Sequence, residues 1–452
     1  MQIVWFRRDL RVEDNTALQQ AIASGDSVVA VYIATPVQWD FHHLAPVQAD
    51  LIYRRLSVLQ QDLASLNIEL LYFECDDFEA AASELADFAE QSNAQGVWLN
   101  KEYELNEVRR DQQLQWQLAS IQIELHSYDD KCAFAPGQIL NKQGQYFKVF
   151  TPFKKAYLKQ YYQRPPQISK TEAAPVWDHA DQWQDIRWSE QQSFRYPRVT
   201  SNHYSVDSKE ILTKLRHFCH QAVDDYHQQR DFPAQAGTSQ LSAYLAIGAL
   251  SVRQCMVRLH YQHPELNLGR QTWLSELVWR EFYQHLLYFE PKLSRGESFL
   301  PWGQNLRWLA PSDALTAWQK GCTGYPIVDA AMRQLNQTGW MHNRLRMVVA
   351  SFLTKDLHID WHHGEAYFMS CLIDGDYAAN NGGWQWCAST GCDGQPYFRI
   401  FNPISQGEKF DPDGAFVRHW LPELSEVPNR WIHQPWRWEG FETVRYPEPI
   451  VD

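Results

Sequence analysis

Four side chains that could bind a flat aromatic ligand occur at helical spacing in the segment 273–283. They are Glu276, Trp279, Arg280 and Tyr283, which follow one another at intervals of three, one and three positions. Residues at this spacing share one face of an α-helix. A carboxylate, an indole and a guanidinium on one face could stack on such a ligand and hydrogen-bond its polar edge. The alternative interpretation is an exposed helix with an ordinary Glu276–Arg280 ion pair.

A second helical segment combines an amide, a thioether and basic side chains. In the sequence WMHNRLRM at 340–347, Asn343 and Met347 share one helix face, and the two arginines between them point elsewhere. The surrounding residues 305–355 contain six basic and two acidic residues. Such an excess of positive charge is typical of a phosphate-contacting surface, although a solvated helix face has the same composition.

Two loop-like segments offer hydrogen-bonding groups to a ligand. The run 374–386, DGDYAANNGGWQW, could present acceptors and amides to the edge of a heterocycle. It is not an EF-hand, because Ala379 and Gln385 stand where that loop needs Gly and Glu. The run 237–242, GTSQLS, could cradle a phosphate at the start of a helix, and a plain N-cap is the alternative. We predict no metal site from the sequence.

The first 130 residues alternate apolar strand-like runs with helical patterns. The strand-like runs are at 2–6, 27–33, 68–73, 96–99 and 121–126. This alternation predicts a parallel sheet with helices on both faces, a Rossmann-like layout. The turn at 7–11, after the first predicted strand, contains no glycine. The phosphate-binding G-x-G-x-x-G motif is therefore absent, which argues against a nicotinamide dinucleotide site.

The rest of the chain has a different pattern. Residues 131–170 contain eight Lys or Arg and no Asp or Glu, and the period becomes helical from Asp207 onward. We therefore predict an α/β domain at 1–130, a long interdomain linker at 131–204, and a large all-α domain at 205–452.

The negative charge of the chain is confined to its first part. The chain has 41 basic and 54 acidic residues, a net charge of −13. Residues 1–130 contain 8 basic and 22 acidic residues, whereas the remainder contains 33 and 32. Nucleic-acid binding by the second part is thus compatible with its charge. Eight Cys without a CxxC pair and the lack of a signal-peptide or membrane-spanning pattern predict a cytoplasmic protein.

The motifs, taken in order, resemble the DNA photolyases of the photolyase/cryptochrome family, and most closely its class I cyclobutane pyrimidine dimer photolyases. The matching motifs are WFRRDLR at 5–11, WREFY at 279–283, GYPIVDAAM at 324–332, WMHNRLR at 340–346, the run 374–386, and YFRIFNP at 397–403. The resemblance covers nearly the whole chain. It implies an all-α C-terminal domain that binds FAD.

The resemblance also implies the residues that hold FAD. Those expected at the phosphates are Tyr226, Arg230, Thr238, Ser239, Gln240, Leu241 and Ser242. Those expected around the isoalloxazine are Asn343, Arg346, Asp374, Asp376 and Asn380, with Asn380 near N5 and an Arg346–Asp374 ion pair close by. Arg280 and Gly375 are the remaining expected contacts.

The implied activity is light-driven repair of cyclobutane pyrimidine dimers, by electron transfer from excited reduced FAD to a lesion flipped out of DNA. Glu276 is expected to bond the base edge of the lesion, and Trp279 and Trp386 to stack on it. Asn343 and Met347 are the other expected lesion contacts. The contacts expected with the surrounding DNA are Arg280, Tyr283, Arg344 and Gln406.

Three tryptophans, Trp384, Trp361 and Trp308, match the electron-relay positions of the family, with core packing as the alternative for Trp361. Asn106 and Glu107 resemble a motif that contacts a methenyltetrahydrofolate antenna. The Cys-Lys pair found in some folate-type members is replaced here by Ser294-Arg295. A deazaflavin antenna, or none, therefore stays an alternative.

We expect a monomer that acts on UV-damaged DNA and has no membrane partner. A cryptochrome-type blue-light photoreceptor and a (6-4) photolyase are the alternatives. Met347 argues against the (6-4) enzymes, in which His is expected at this segment. Asn380, and a chain that ends at 452 without a signalling tail, argue against a photoreceptor.

Overall fold

The computed structural model describes residues 1–176, 180–394, 396 and 399–451, with backbone only at 180 and 181. The chain divides into two compact units. The first comprises Met1–Gln221, Ser239–Leu266 and Leu274–Arg295, and the second Ala222–Thr238, Asn267–Trp273 and Gly296–Asp452. Each unit is built from segments that are separated in the chain, so the units do not test the domain boundaries predicted at 130 and 204. These boundaries remain predictions from the sequence.

Five parallel strands form one sheet in the first unit. They are β1 (Gln2–Phe6), β2 (Val28–Ala34), β3 (Glu69–Glu74), β4 (Gly96–Asn100) and β5 (Glu124–Tyr128), in the order β3-β2-β1-β4-β5. Strands β1 and β2 are buried along their whole length, which explains their continuous apolar sequence. The predicted Rossmann-like sheet is confirmed.

The last strand begins later than the sequence predicts. Helix α5 (Leu105–Ser120) ends at Ser120, and Ile121 is its C-cap. Gln122 then adopts a left-handed backbone with φ 61°. The apolar residues at 121 and 123 therefore belong to the turn that closes the helix, and β5 starts at Glu124.

The described residues contain eighteen α-helices. Besides α5, these are α1 (Thr16–Ala23), α2 (Pro36–Phe41), α3 (Pro46–Ala64), α4 (Phe78–Gln91), α6 (Phe150–Gln163), α7 (Ser208–Gln221), α8 (Tyr226–Gln229), α9 (Ser242–Ala246), α10 (Val252–His260), α11 (Leu268–Phe289), α12 (Asp313–Lys320), α13 (Pro326–Thr338), α14 (Asn343–Ser351), α15 (Trp361–Cys371), α16 (Tyr377–Ala388), α17 (Pro403–Phe410) and α18 (Ala415–Trp420). Phe352–Asp356 forms one turn of π-helix directly after α14. The predicted helical region is confirmed.

The predicted linker contains a packed helix rather than only a surface connection. Along α6, Phe150, Phe153, Tyr157 and Tyr161 are buried at helical spacing. These aromatic side chains lie in a basic stretch, which made the segment look like a solvated connector. Their spacing of three and four residues is nevertheless the pattern of an amphipathic helix.

The strand order reverses between β1 and β4, at the point where open α/β sheets usually bind ligands. Charged residues fill this position in place of a glycine-rich turn. Arg8, after β1, pairs with Glu102 at 2.6 Å and with Glu104 at 2.7 Å, both after β4. The turn at 7–11, which lacks glycine, therefore forms ion pairs with residues that follow β4 in the first unit.

The second unit has its own apolar core. Residues of α12 to α16 contribute Trp318, Met332, Leu345, Trp361 and Trp384, each at most 2% exposed. In the part of the chain that the structure describes, no helix combines the length and the apolarity needed to cross a membrane.

Candidate functional site

Helix α11 carries the first predicted group of site residues. Glu276, Trp279, Arg280 and Tyr283 form one half-buried stripe along it. The opposite face, which includes Phe282, is buried. The structure therefore places the four side chains on one partly accessible face, as their spacing predicts.

The indole of Trp279 is held flat by a neighbour that the sequence did not reveal. Its ring lies on Phe150, the first residue of α6, with centroids 3.5 Å apart and planes 9° apart. Tyr283 lies on another side, at 5.7 Å between centroids. Stacking of this kind restricts the indole to one orientation, so its plane is fixed before a ligand arrives.

Arg280 is tied to the backbone that follows β5. Its Nη1 donates to the carbonyl of Lys131 at 3.0 Å and lies 3.8 Å from the carboxylate of Glu281. The guanidinium therefore has a fixed position on the stripe.

In the second unit, Arg346 and Asp374 form the ion pair that the family resemblance implies. Arg346 Nη2 lies 2.8 and 3.1 Å from the two carboxylate oxygens of Asp374, and its Nε donates to the Met341 carbonyl at 2.9 Å. The Asp374 side chain is 3% exposed, whereas that of Arg346 is 26% exposed. A fixed guanidinium thus remains partly accessible.

Two residues at the start of α16 are also positioned by hydrogen bonds. Asp376 is the N-cap and accepts the Ala379 N–H at 3.0 Å. Asn380 is buried, and its Nδ2 donates to the carbonyl of Glu365 at 3.0 Å. This bond fixes the amide of Asn380, with its oxygen directed away from Glu365. Gly375 precedes the cap in the turn, where its N–H donates to Leu372 at 3.2 Å.

Arg230 and Arg344 share a carboxylate that the sequence analysis did not identify. Arg344 Nη2 lies 2.8 Å from Asp231 Oδ1, and Arg230 Nε lies 3.7 Å from the same atom. The guanidinium of Arg344 also lies over the ring of Phe410, 4.5 Å from its centroid, and its Nη1 lies 3.9 Å from the Met347 sulfur. Arg344 lies more than a hundred residues from Arg230 and Asp231 in the chain, so the sequence gave no signal for this arrangement.

Several buried polar atoms in this unit have no partner among the described residues. They include His342 Nε2, Arg344 Nε and Gln406 Oε1. His342 Nδ1 accepts the Arg344 N–H at 3.2 Å, so its Nε2 carries the proton. Burial lowers the pKa of His342 to about 4. A neutral, buried N–H donor without an acceptor is uncommon and suits a ligand-binding position.

The predicted phosphate segment has a close-packed start. A Cβ at Gly237 would lie 2.6 Å from the Cβ of Gln229, so only glycine fits there. Gln240 has a left-handed backbone with φ 49°, and α9 begins at Ser242 with Leu241 as its N-cap. The N-cap residue thus has no hydroxyl, and a plain Ser or Thr cap does not describe this segment.

The residues with hydroxyl groups in the predicted phosphate segment differ in exposure. Thr238 and Ser239 are half-buried, while Ser242 is exposed. Earlier in the second unit, the guanidinium of Arg230 lies 5.7 Å from the ring centroid of Tyr226.

The three relay tryptophans differ in exposure. Trp384 and Trp361 are 2% and 1% exposed, whereas Trp308 is half-buried at the edge of the same core. A Cβ at Gly364 would lie 2.1 Å from the Trp384 ring, so this glycine makes room for the indole. A further buried tryptophan, Trp318, lies 6.0 Å from Trp384 between centroids.

The predicted lesion contacts of the second unit lie on α14 and α16. Asn343 is the first residue of α14 and is exposed, and Met347 is half-buried one turn later. Trp386 is half-buried and lies 6.4 Å from Phe401 between ring centroids, with planes 24° apart. Residues 397 and 398 of the last family motif lie outside the described residues.

The predicted antenna motif opens α5. Asn106 Nδ2 lies 2.9 Å from His42 Nε2, and Glu107 Oε1 lies 3.8 Å from His42 Nδ1. Burial and the nearby Glu104 raise the pKa of Glu107 to about 7, and its Oε2 has no partner among the described residues. Ser294 is also close, since its Oγ accepts the Leu105 N–H at 3.2 Å.

Comparisons with known proteins agree on one family. Residues 2–171 match the family described as DNA photolyase, and residues 273–452 match the FAD binding domain of DNA photolyase. The chain is 58% identical to a deoxyribodipyrimidine photo-lyase of Vibrio cholerae, covering 100% of this chain and 96% of that protein. It is 48% identical to the deoxyribodipyrimidine photo-lyase of Escherichia coli, covering 100% and 95%.

Solved structures show the same similarity. A class III photolyase from Agrobacterium tumefaciens has a TM-score of 0.85 and 34% identity, covering 100% of this chain and 94% of that one. An archaeal photolyase from Sulfolobus tokodaii, described with two FAD molecules, has a TM-score of 0.82 and 31% identity, covering 100% and 96%. A cryptochrome from Synechocystis has a TM-score of 0.83 and 30% identity, covering 100% and 96%.

The buried carboxyl of Glu365 gives a pH prediction. Burial raises its pKa to about 7, although the Asn381 amide donates to it at 2.8 Å. The stability that this carboxyl contributes is therefore fully present below its unfolded pKa and is lost as pH rises through about 7. Glu365→Gln keeps the acceptor for Asn381, and we expect it to raise the Tm at pH 8 by roughly 3 °C, with no change near pH 4.5.

Thermal unfolding of the two proteins between pH 4.5 and 8 checks this expectation. The matched control is Glu408→Gln, at an exposed glutamate on α17, measured over the same pH range. A Glu365→Gln difference that is independent of pH would contradict the assigned titration.

Proposed function

The chain belongs to the DNA photolyase family, and we propose that it is a deoxyribodipyrimidine photo-lyase that uses light to reverse cyclobutane pyrimidine dimers in DNA. The observation that carries the proposal is the fixed group of Arg346, Asp374 and Asn380 within the FAD binding domain of the family. As part of this proposal, the protein is a monomer that acts on UV-damaged DNA in the cytoplasm.

The residues present fit FAD. The buried Nε2–H of His342 has no acceptor among the described residues, and Arg346 and Asn380 are held in place by other groups. When bound in its reduced form, FAD supplies a one-electron donor that light can excite. Tyr226, Arg230 and the hydroxyl and amide groups of residues 238–242 would hold its phosphates. Asn343, Arg346, Asp374, Gly375, Asp376 and Asn380 would hold its isoalloxazine, with Arg280 as a further contact.

Arg346 and Asn380 have separate roles beside the ring system. The guanidinium of Arg346 favours negative charge next to it, and Asp374 keeps that guanidinium from moving. The Asn380 amide is held by the Glu365 carbonyl, so its oxygen presents an acceptor at one place. Both groups are positioned before the cofactor binds, which lowers the cost of ordering the site.

The stripe on α11 binds the flipped lesion. Trp279 is already stacked on Phe150, so its exposed plane receives a pair of bases without loss of side-chain freedom. Glu276 hydrogen-bonds the base edge and stabilises the charge that develops there. Trp386, Asn343 and Met347 supply the remaining contacts with the lesion.

Contacts with the surrounding DNA are electrostatic and polar. The guanidinium of Arg344 is held in one orientation by Asp231 and by the ring of Phe410. Together with Arg280, Tyr283 and Gln406 it contacts the backbone of the damaged strand. No base sequence needs to be read, because a dimer is weakly stacked and easily extruded.

Trp384, Trp361 and Trp308 carry electrons between the interior and the surface. Indoles can be oxidised transiently, and the exposure of the three residues rises from 1–2% at Trp361 and Trp384 to half-buried at Trp308. Under light, such a row could pass electrons from a soluble reductant at the surface to the oxidised cofactor.

The antenna chromophore is a methenyltetrahydrofolate held by Asn106 and Glu107. The buried Glu107 oxygen without a partner among the described residues supports a ligand that carries N–H groups, as the edge of a pterin ring does. We expect denaturation of the purified protein to release a folate in addition to FAD, identified by absorption and mass. Release of a deazaflavin, or of FAD alone, would overturn this assignment.

The repair function predicts that the reduced protein restores cyclobutane-dimer DNA under blue or near-ultraviolet light and not in the dark. Loss of dimers is measured by chromatography of the digested DNA. A reduced, FAD-loaded protein that leaves the dimers intact under light would overturn the proposal. Repair of (6-4) photoproducts instead would identify the alternative enzyme class.

The role of Glu276 is tested in the same assay. Glu276→Ala removes the carboxyl that stabilises the transferred charge, so we expect the repair yield per absorbed photon to fall by roughly tenfold. Affinity for dimer DNA should change much less, because the stacked Trp279 and the phosphate contacts remain. An unchanged yield would remove the proposed role.

The relay predicts that Trp384→Phe abolishes photoreduction of the oxidised flavin but spares repair by protein reduced beforehand. The matched control is Trp318→Phe, because Trp318 is equally buried, lies 6.0 Å from Trp384 and is not assigned to the relay. Photoreduction is followed by absorption under continuous illumination. Loss of photoreduction in both variants, or in neither, would refute the assignment of Trp384.

A further inference from the structure

A cluster of three side chains in the first unit has no part in the proposed repair chemistry. Cys132, Glu281 and His285 each place one ligand-type atom within 4.8 Å of the other two. We propose that these three residues bind a thiophilic divalent cation, with Zn²⁺ as the preferred ion. The proposal does not depend on the repair function.

The placement of the cluster follows from the fold. Glu281 and His285 lie four positions apart on α11, so their side chains share a helix face. Cys132 lies in the segment that follows β5. The three residues are 2%, 0% and 3% exposed in chain order, so the cluster is closed to bulk solvent.

His285 has the hydrogen-bond pattern of a metal ligand. Its Nε2 lies 2.9 Å from the Phe134 carbonyl, to which it donates, so its Nδ1 carries the lone pair. This Nδ1 is buried and has no partner among the residues that the structure describes. Burial lowers the pKa of His285 to about 4, so the ring is neutral and able to bind a cation. A metal-binding histidine typically donates its other ring N–H to a backbone carbonyl in this way.

An unpaired buried acceptor is unfavourable unless something binds it. Such a group loses its hydrogen bonds to water on folding and gains none in exchange. The Cys132 thiol is near, but its sulfur makes no hydrogen bond to His285 Nδ1. A cation between the two atoms would satisfy both.

Glu281 can contribute an oxygen without losing its present bonds. Its carboxylate accepts the Ala133 N–H at 3.0 and 3.1 Å and the Tyr157 hydroxyl at 3.1 Å. Each carboxylate oxygen has two lone pairs, which leaves acceptor capacity for a cation. Burial raises the pKa of Glu281 to about 7, and a bound cation would favour its ionised form.

The ligand types select the ion. A thiolate, an imidazole and a carboxylate suit Zn²⁺, whereas Mg²⁺ and Ca²⁺ prefer oxygen ligands alone. Binding exchanges the Cys132 thiol proton for the metal: the S–H bond breaks, a Zn–S bond forms, and the proton leaves to buffer, together with the proton of any Glu281 carboxyl that is not yet ionised. No electron is transferred. Water completes the tetrahedron, since three protein ligands leave one position.

Such an ion would join α11 to the segment that follows β5. The backbone of Ala133 and Phe134 already contacts Glu281 and His285, and Arg280 contacts Lys131. A shared metal would strengthen this attachment and raise the resistance of the first unit to unfolding.

The test uses the FAD-loaded protein with exposed Cys322 changed to Ala in every sample, so that this thiol cannot bind metal. After treatment with a chelator, the protein is incubated with ZnCl₂, separated by gel filtration, and its zinc is measured by mass spectrometry. We expect one equivalent of zinc, release of roughly one to two protons measured by calorimetry in two buffers, and a higher Tm with zinc than without it.

Two substitutions separate the cluster from general thiol binding. Cys132→Ala and Cys132→Ser should weaken zinc affinity by roughly 100-fold and remove the thiol's part of the proton release and the Tm gain. Cys255→Ala, at an equally buried thiol elsewhere in the first unit, should keep all three. The flavin spectrum of each variant shows that it is folded. Absence of zinc from the parent protein, or equal retention by the Cys132 variants, would overturn the proposal.

Discussion

The proposed substrate site depends on how α11 is attached to the segment 131–134, which lies shortly after β5. Three residues of the helix make this attachment: Arg280 donates to the Lys131 carbonyl, Glu281 accepts the Ala133 N–H, and His285 donates to the Phe134 carbonyl. Burying the Glu281 carboxyl is costly, and the bonds from Ala133 and Tyr157 offset that cost. Hydrogen bonds to a charged group contribute about 1.5–3 kcal/mol each.

This attachment sets the direction of the rest of the helix. Because Glu281 must face the backbone at 133, the residues on the other side of α11 are directed outward. That side carries Glu276, Trp279 and Tyr283, which are half-buried and therefore accessible to a ligand. A helix held only by apolar contacts could rotate slightly, whereas directed bonds to a buried carboxylate allow one rotation. The buried polar contacts thus define which face binds the substrate.

The sequence predicted what depends on local pattern and missed what depends on distant contacts. Apolar runs and helical spacing were enough for the parallel sheet and for the stripe on α11. The start of β5 was wrong, because Ile121 and Gln122 close a helix and look like a strand. Phe150 under Trp279 and Asp231 beside Arg344 were missed, since each pair joins segments more than a hundred residues apart.

Burial alone does not separate the tryptophans that transfer electrons from those that only fill space. Trp318, Trp361 and Trp384 are all at most 2% exposed and belong to one core. Gly364 is constrained by the ring of Trp384, yet a relay tryptophan and a packing tryptophan would impose the same constraint. The difference lies in the path that an electron would follow, because a relay needs one tryptophan that reaches solvent. Trp308, half-buried at the edge of this core, is such a residue. The abundance of tryptophan in this chain therefore becomes informative only when each indole is assigned a position between interior and surface.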